Sequence, residues 1–181
     1  MSKLNIMLKQ LFTLVLLIFS TFTYAGTAEI YWDDPKEYTD IDGGVANQAL
    51  FAKRVQLAFN SHFKELAKRL PANQLWKIRI SDLDLAGNVS KVYFRLHYRP
   101  TSRGELRVMD AFFNPSITIS YIITDTKSGK IIAGDKLFKL TDYYVTRYPS
   151  SQFMVKDFSY EKYMIKAWFN KVLLPFANDG S

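Results

Sequence analysis

The chain has 181 residues, a formal net charge of +7 and no cysteine. The lack of cysteine excludes thiol nucleophiles, disulfides, zinc–thiolate sites and iron–sulfur clusters. The fold must therefore be held by packing, for which a composition of 48% hydrophobic residues supplies enough apolar surface.

The first 25 residues have the pattern of a secretory signal peptide. Lys3 and Lys9 form a basic start, residues 11–22 are apolar, and small residues lead to a cleavage position after Ala25. The apolar run is shorter than the roughly 20 residues of a membrane-spanning helix. We therefore expect cleavage, and a periplasmic or secreted protein with no transmembrane segment after cleavage.

The remaining residues 26–181 are predicted to form a single α+β domain. Cleavage after Ala28 is the alternative boundary. Removal of two lysines and no acid lowers the net charge from +7 to +5. This charge, without a dense basic run, indicates simple solubility, with attraction to an anionic envelope surface as the alternative. We expect no nucleic-acid partner, because exported proteins rarely meet nucleic acid.

Hydrophobic periodicity predicts the elements in chain order. They are a strand at 28–32, a helix at 45–70, a strand ending in Asp82 and Asp84, strands at 89–98 and 105–113, a hairpin turning at 126–129, and a C-terminal helix that Ser159 caps and Pro175 ends. We predict an antiparallel sheet of four to five strands, packed by the long helix and the C-terminal helix.

The long predicted helix has a basic side. Lys53, Arg54, Lys64, Lys68 and Arg69 lie largely off its apolar stripe. A solvated face is the simpler interpretation of this side. A docking surface for an anionic polymer is the alternative.

Two carboxylates end the central strand. Trp76, Ile78 and Ile80 alternate with polar residues, and Asp82 and Asp84 continue the alternation on one face. Together with Asn88, these oxygen ligands suit a hard cation such as calcium. No distal Glu completes a calcium loop, so the competing interpretation is a structural one, in which the acids accept backbone N–H bonds at the strand end.

No catalytic machinery is recognisable from the motifs. A pair of carboxylates can serve glycoside hydrolysis, but nothing indicates a cleft. His62 and His97 are isolated, and neither an H-E-x-x-H nor a G-x-S-x-G motif occurs. We therefore predict no catalytic residues and no cofactor, with calcium at Asp82, Asp84 and Asn88 as the alternative.

A tyrosine-rich stretch follows the last predicted strand. Tyr143, Tyr144, Arg147 and Tyr148 combine apolar surface with polar groups, as partner-contacting loops do. We predict contact here with an unknown envelope protein or glycan. A lid over one end of the sheet is the competing interpretation.

Several segments resemble a family of exported bacterial proteins known as domain of unknown function 3016. The matching pieces are Trp32-Asp33-Asp34-Pro35, Tyr38-Thr39-Asp40-Ile41, Ile80-Ser81-Asp82-Leu83-Asp84-Leu85-Ala86-Gly87, the strands around Tyr121 and Lys130, Leu140-Thr141-Asp142, and Tyr160-Glu161-Lys162 before Trp168. The family has an Arg after the proline that opens the middle strand, where this chain has Ser116. The resemblance implies an envelope protein with a shared fold and no known activity.

These observations favour an exported, non-enzymatic binding module that acts through the acidic strand end or the tyrosine-rich stretch. The alternative is a cation-dependent hydrolase that acts on an envelope polymer through Asp82 and Asp84. A purely structural envelope component is a third hypothesis.

Overall fold

The computed structural model describes residues 25–43, 47–89, 107–108, 114–142 and 158–179. Its elements are β1 (Thr27–Trp32), a 3-10 turn (Pro35–Glu37), α1 (Gln48–Ala67), β2 (Gln74–Asp84), β3 (Asn88–Val89), β4 (Arg107–Val108), β5 (Ser116–Asp125), β6 (Ile131–Thr141), α2 (Ser159–Trp168), a π-helical segment (Phe169–Leu173) and α3 (Leu174–Asp179). The predicted α+β class is confirmed.

Four strands form a mixed sheet in the order β1-β2-β5-β6. Strands β2, β5 and β6 are antiparallel neighbours, but β1 runs parallel to β2. The prediction of an antiparallel sheet is therefore wrong at this edge. Helix α1 connects β1 to β2 and carries the chain back along the sheet, so both strands start at the same end.

Helix α1 forms where apolar residues recur at three- and four-residue steps. Asn47 caps its start, because its Oδ1 accepts hydrogen bonds from the N–H groups of Ala49 and Leu50 at 3.1 and 3.2 Å. Its buried side chains are Phe51, Val55, Phe59, Phe63, Leu66 and Ala67. They pack with the buried residues of β2 and β5 and with Trp168 and Phe169 in one core.

Strand β2 supplies the centre of the core and contains a bulge. Ile80 pairs with Ile119 and Asp82 with Thr118, so Ser81 is an extra residue. The bulge shifts the buried set from even positions to Leu83 and Leu85. The predicted alternation therefore does not continue unbroken, and the two aspartates of β2 lie on the side opposite Leu83.

The C-terminal helix continues past the residue that was predicted to end it. Pro175 lies inside α3, directly after the π-helical segment. Proline lacks the amide hydrogen of a regular turn, and the wider turn bonds Leu174 N–H to Phe169 O instead. The predicted Ser159 cap is also wrong, because Phe158 takes the N-cap position with φ 62° and no side-chain bond.

Two of the predicted strands correspond to elements of only two described residues each. The strands expected at 89–98 and 105–113 are represented by β3 and β4, which pair with each other antiparallel.

None of the helices in the described ranges has the length and hydrophobicity needed to cross a bilayer.

Candidate functional site

The carboxylate of Asp82 is bonded to Thr39. Its Oδ1 accepts a hydrogen bond from the Thr39 backbone N–H at 2.7 Å, and its Oδ2 accepts one from the Thr39 hydroxyl at 2.8 Å. Both oxygens of this candidate metal ligand therefore contact one residue of the connection between β1 and α1. That arrangement is what a structural tie between two segments requires.

The same connection follows the end of β2 as an interrupted strand. After the 3-10 turn it rejoins β2 at Asp40, whose N–H donates to Leu83 O and whose C=O accepts from Leu85 N–H. The hydroxyl of Tyr38 donates to Ile80 O at 2.9 Å and fills the interruption. Residues 34–42 are thereby fixed beside the bulged end of β2.

Between this segment and α1 lies an open groove of about 950 Å³, here called the acidic groove. Its lining residues are Asp34, Pro35, Lys36, Tyr38, Thr39, Asp40, Ile41, Asp42, Gln48, Ala49, Ala52, Lys53 and Gln56. Ala49, Ala52 and Gln56 follow one stripe of α1, and the two alanines leave the space that a larger side chain would fill. The volume is at the upper end of the roughly 300–1,000 Å³ typical of ligand pockets.

The acids of the groove are fixed by local hydrogen bonds. Asp34 accepts from Lys36 N–H at 3.1 Å and caps the 3-10 turn, while Asp40 accepts from Asp42 N–H at 2.9 Å. Asp42 in turn accepts from the Gln48 side chain at 2.6 Å, which ties the two walls together. An ionised carboxylate only accepts hydrogen bonds, so these acids place negative charge along the groove.

Tyr38 is the buried aromatic residue of the groove. Burial, with the charges of Asp33, Asp82 and Asp34 nearby, raises the pKa of its phenol to about 12. The hydroxyl is therefore neutral at physiological pH. It donates its hydrogen bond to the backbone oxygens of Ile80 and Asp33. Tyr38 holds the wall in place.

The other predicted cation ligands are only partly described. The backbone of Asp84 forms an isolated bridge with Asp40, and Asn88 belongs to β3, with its side chain outside the described residues. Within the described ranges, no three His, Asp or Glu side chains converge to hold a metal ion. The calcium site remains a prediction.

His62 joins α1 to α2. Its Nε2 is 2.9 Å from Lys162 O, and since a carbonyl only accepts, the ring nitrogen must carry the proton. Burial lowers the pKa of His62 to about 4, opposed by this hydrogen bond and reinforced by Lys162 and Lys166. The prediction of a partly buried packing residue fits this geometry.

His97 and the tyrosine-rich candidates Tyr143, Tyr144, Arg147 and Tyr148 lie outside the described residues.

Two features of the site were missed from sequence. One is the groove itself, whose sequence signal is the small pair Ala49 and Ala52 on an otherwise larger helix surface. The other is Glu161, which is 3% exposed and accepts a hydrogen bond from Ala86 N–H at 2.7 Å. A Glu in the first turn of a helix is normally explained by its favourable interaction with the helix dipole. Neighbouring residues in the sequence therefore do not indicate that Glu161 is buried.

Comparisons with known proteins place the chain in a family. No curated protein matches it. A solved structure, the hypothetical protein CT253 from Chlamydia trachomatis, is similar with a TM-score of 0.33 and 12% identity over 84% of this chain and 96% of that one, a likeness too weak to inform fold or function. The family model described as "Protein of unknown function (DUF3016)" matches residues 26–171, so the chain belongs to the DUF3016 family, as its motifs predicted.

Proposed function

We propose that this protein is an exported, non-enzymatic binding module whose acidic groove holds a basic segment of an envelope protein. The observation that carries the proposal is the groove itself. It has a ligand-sized volume, and its two walls are fixed to each other by the bond between Gln48 and Asp42. A preformed concavity with a few convergent polar groups is the usual form of a binding site.

Charge supports a basic occupant. Residues 27–43 contain six acids and a single basic residue, Lys36. One of those acids, Asp33, is paired with Arg79 at 2.8 Å, and three others line the groove. Lys36 and Lys53 also line the groove and balance two of these three negative charges, which leaves the lining with a net negative charge. Opposite charge on a partner would speed its encounter with the groove and disfavour acidic competitors.

The shape and chemistry of the lining support a polypeptide rather than a sugar. Ala49 and Ala52 allow a chain to approach α1 closely, and Gln56 offers an amide group of the kind that bonds peptide backbone. The aromatic ring among the lining residues, Tyr38, is buried, so this lining gives a sugar ring no exposed stacking surface.

A pair of short fluorescent peptides tests the proposal. One alternates lysine and leucine, and the other alternates glutamate and leucine. We expect anisotropy to report saturable binding of the basic peptide alone, weakened at least about tenfold by Ala49→Trp, which fills the groove. Ser61→Trp, on an exposed part of the same helix, is the matched control. Equal binding by both variants, or preference for the acidic peptide or for an envelope glycan, would refute the proposed site.

Export is tested separately. Fractionation of expressing cells, followed by N-terminal sequencing of the recovered chain, is expected to place it in the periplasm or medium with Gly26 as its first residue. A cytoplasmic chain that retains its first 25 residues would contradict this part of the proposal.

The alternative function, a cation-dependent hydrolase acting through Asp82 and Asp84, makes a different demand. A metal bound by Asp82 would share the two carboxylate oxygens with the hydrogen bonds from Thr39. A melting temperature that rises with added calcium in the unmodified chain, but not in Asp84→Asn, would favour this alternative over the binding module.

A further inference from the structure

Charge is distributed very unevenly over the described residues. The helical ranges 47–70 and 158–179 contain eight basic and three acidic residues, whereas the ranges 26–43 and 71–89 contain three basic and eight acidic residues. Of the three acids in the helical ranges, Glu161 is buried. The helical side of the protein is therefore basic, and the edge that carries the acidic groove is acidic.

Helices α1 and α2 form one continuous layer. Arg54 lies 5.5 Å from the ring of Phe158, His62 bonds Lys162, and Arg69 bonds Asn170. Because these contacts ascend together in both helices, the helices run side by side in the same direction. Their outer surfaces therefore belong to one face.

The outermost residues of this layer follow helical spacing. Leu57, Lys64 and Lys68 of α1 are separated by seven and four positions, which places them on the side opposite the buried stripe. Tyr163 and Lys166 hold the corresponding place on α2. These five residues are here called the basic helix face, and each of them is exposed.

The basic helix face combines charge with exposed apolar side chains. Leu57 and Tyr163 are 60% and 42% exposed. Glu65 neutralises part of the charge through its 2.6 Å contact with Lys68. Lysines beside exposed Leu and Tyr are the composition of surfaces that rest on the headgroups of anionic lipids, with the apolar groups entering the interface.

We propose that the basic helix face docks on the surface of an anionic phospholipid bilayer. This goes beyond the proposed function, because the groove is lined by another stripe of α1 and none of its lining residues belongs to this face. Each lysine held near such a surface strengthens binding roughly fivefold at moderate ionic strength. Leu57 and Tyr163 add the apolar contact that distinguishes a lipid surface from a soluble anion.

The test is co-sedimentation with vesicles, using residues 26–181, which contain every described element and lack the apolar run 11–22. Vesicles of phosphatidylcholine alone are compared with vesicles that also contain phosphatidylglycerol. We expect binding only to the latter, with a loss as salt is raised. The combined Lys64→Gln, Lys68→Gln and Lys166→Gln variant is expected to bind roughly a hundredfold more weakly.

Two controls make the outcome decisive. The combined Lys130→Gln, Lys136→Gln and Lys139→Gln variant removes the same charge from β6 and its turn and is expected to bind like the unmodified chain. Leu57→Ser keeps the charge and is expected to weaken vesicle binding several-fold. Equal losses in both lysine variants, no effect of Leu57→Ser, or equally tight binding to soluble dextran sulfate would overturn the proposal. A thermal melt of each variant confirms that it is folded.

Discussion

The buried carboxylate of Glu161 accepts a hydrogen bond from the backbone N–H of Ala86 at 2.7 Å. This contact joins the first turn of α2 to the turn that follows β2, where Gly87 takes a φ of 76°. The two segments are 75 positions apart in sequence. A side chain from the C-terminal helix thus fixes the end of the strand that also positions Asp82.

Removing this acceptor should destabilise the fold. We expect Glu161→Ala to lower the free energy of unfolding by about 2 kcal/mol, because it leaves the buried N–H group of Ala86 without this acceptor. Glu161→Gln retains an oxygen and should cost less. Urea unfolding measures both. Glu65→Ala, at an exposed site, is the control and should change stability by less than about 0.5 kcal/mol. Equal effects at both positions would show that the buried bond contributes nothing.

The pair formed by Asp82 and Thr39 should behave as one unit. Asp82→Ala and Thr39→Val each remove part of the same tie, so their destabilising effects should not add. We expect a coupling free energy of about 1 kcal/mol in a double-mutant cycle, reduced from larger values by solvent exposure. Asp82→Ala should also weaken binding in the acidic groove, since Thr39 is part of its lining. Additive effects would indicate that the two side chains act independently.

Helix α1 shows what could be predicted from the sequence. Its apolar residues recur with the helical period over almost the whole element, and a pattern of that length has one simple solution. The signal for the hairpin between β5 and β6 is also contained in a few neighbouring residues. Asp125 accepts hydrogen bonds from the N–H groups of the turn, and Gly129 takes a φ of 70°. Both signals lie within the segments that they organise.

The errors arose where a distant contact decides the structure. Nothing within residues 27–32 says whether that strand is parallel or antiparallel to its neighbour. The bulge at Ser81 follows a clean alternation of apolar and polar residues, and nothing in that alternation indicates an extra residue. The groove depends on how two separate segments meet, and only the alanines of one wall hinted at it. Pro175 predicts a helix end under the rule for regular helices, but the preceding π-helical segment has a different hydrogen-bond pattern and the helix continues.

The pKa of His62 predicts how stability depends on pH. The folded value of about 4 lies below the ordinary 6.5, so the unfolded chain binds a proton more readily between these values. The contribution of His62 to the free energy of unfolding should therefore be complete above about pH 6.5. It should decrease by up to about 3 kcal/mol as the pH falls to 4. Urea titrations across this range measure the slope.

The variant His62→Gln keeps a donor for Lys162 O and has no proton to gain, so its slope should be markedly flatter. The carboxylate of Asp125 does not confuse the test. The hydrogen bond from the Ser128 backbone N–H, with further bonds from the Ser128 hydroxyl and the Lys127 N–H, lowers the pKa of Asp125 from 3.8, so its contribution to stability is lost below the range of the titration. An unchanged slope in His62→Gln would assign the pH dependence to other groups.

Leu137 occupies a backbone conformation that suits glycine. It lies in a bulge of β6, where Lys136 and Leu137 oppose the single residue Ser120, and its φ is 53°. A left-handed conformation costs a residue with a Cβ about 1–2 kcal/mol. Leu137 is 72% exposed, so its side chain gains little from burial in return.

We therefore expect Leu137→Gly to raise the free energy of unfolding by up to about 1 kcal/mol, the relief of strain exceeding the extra freedom of glycine in the unfolded chain. Leu57→Gly is the matched control, because Leu57 is similarly exposed but lies in α1 with ordinary helical geometry. That exchange should lower stability by about 1 kcal/mol. If both exchanges destabilise the protein equally, the strain assigned to Leu137 is absent in solution, and the edge strand adopts a different register there.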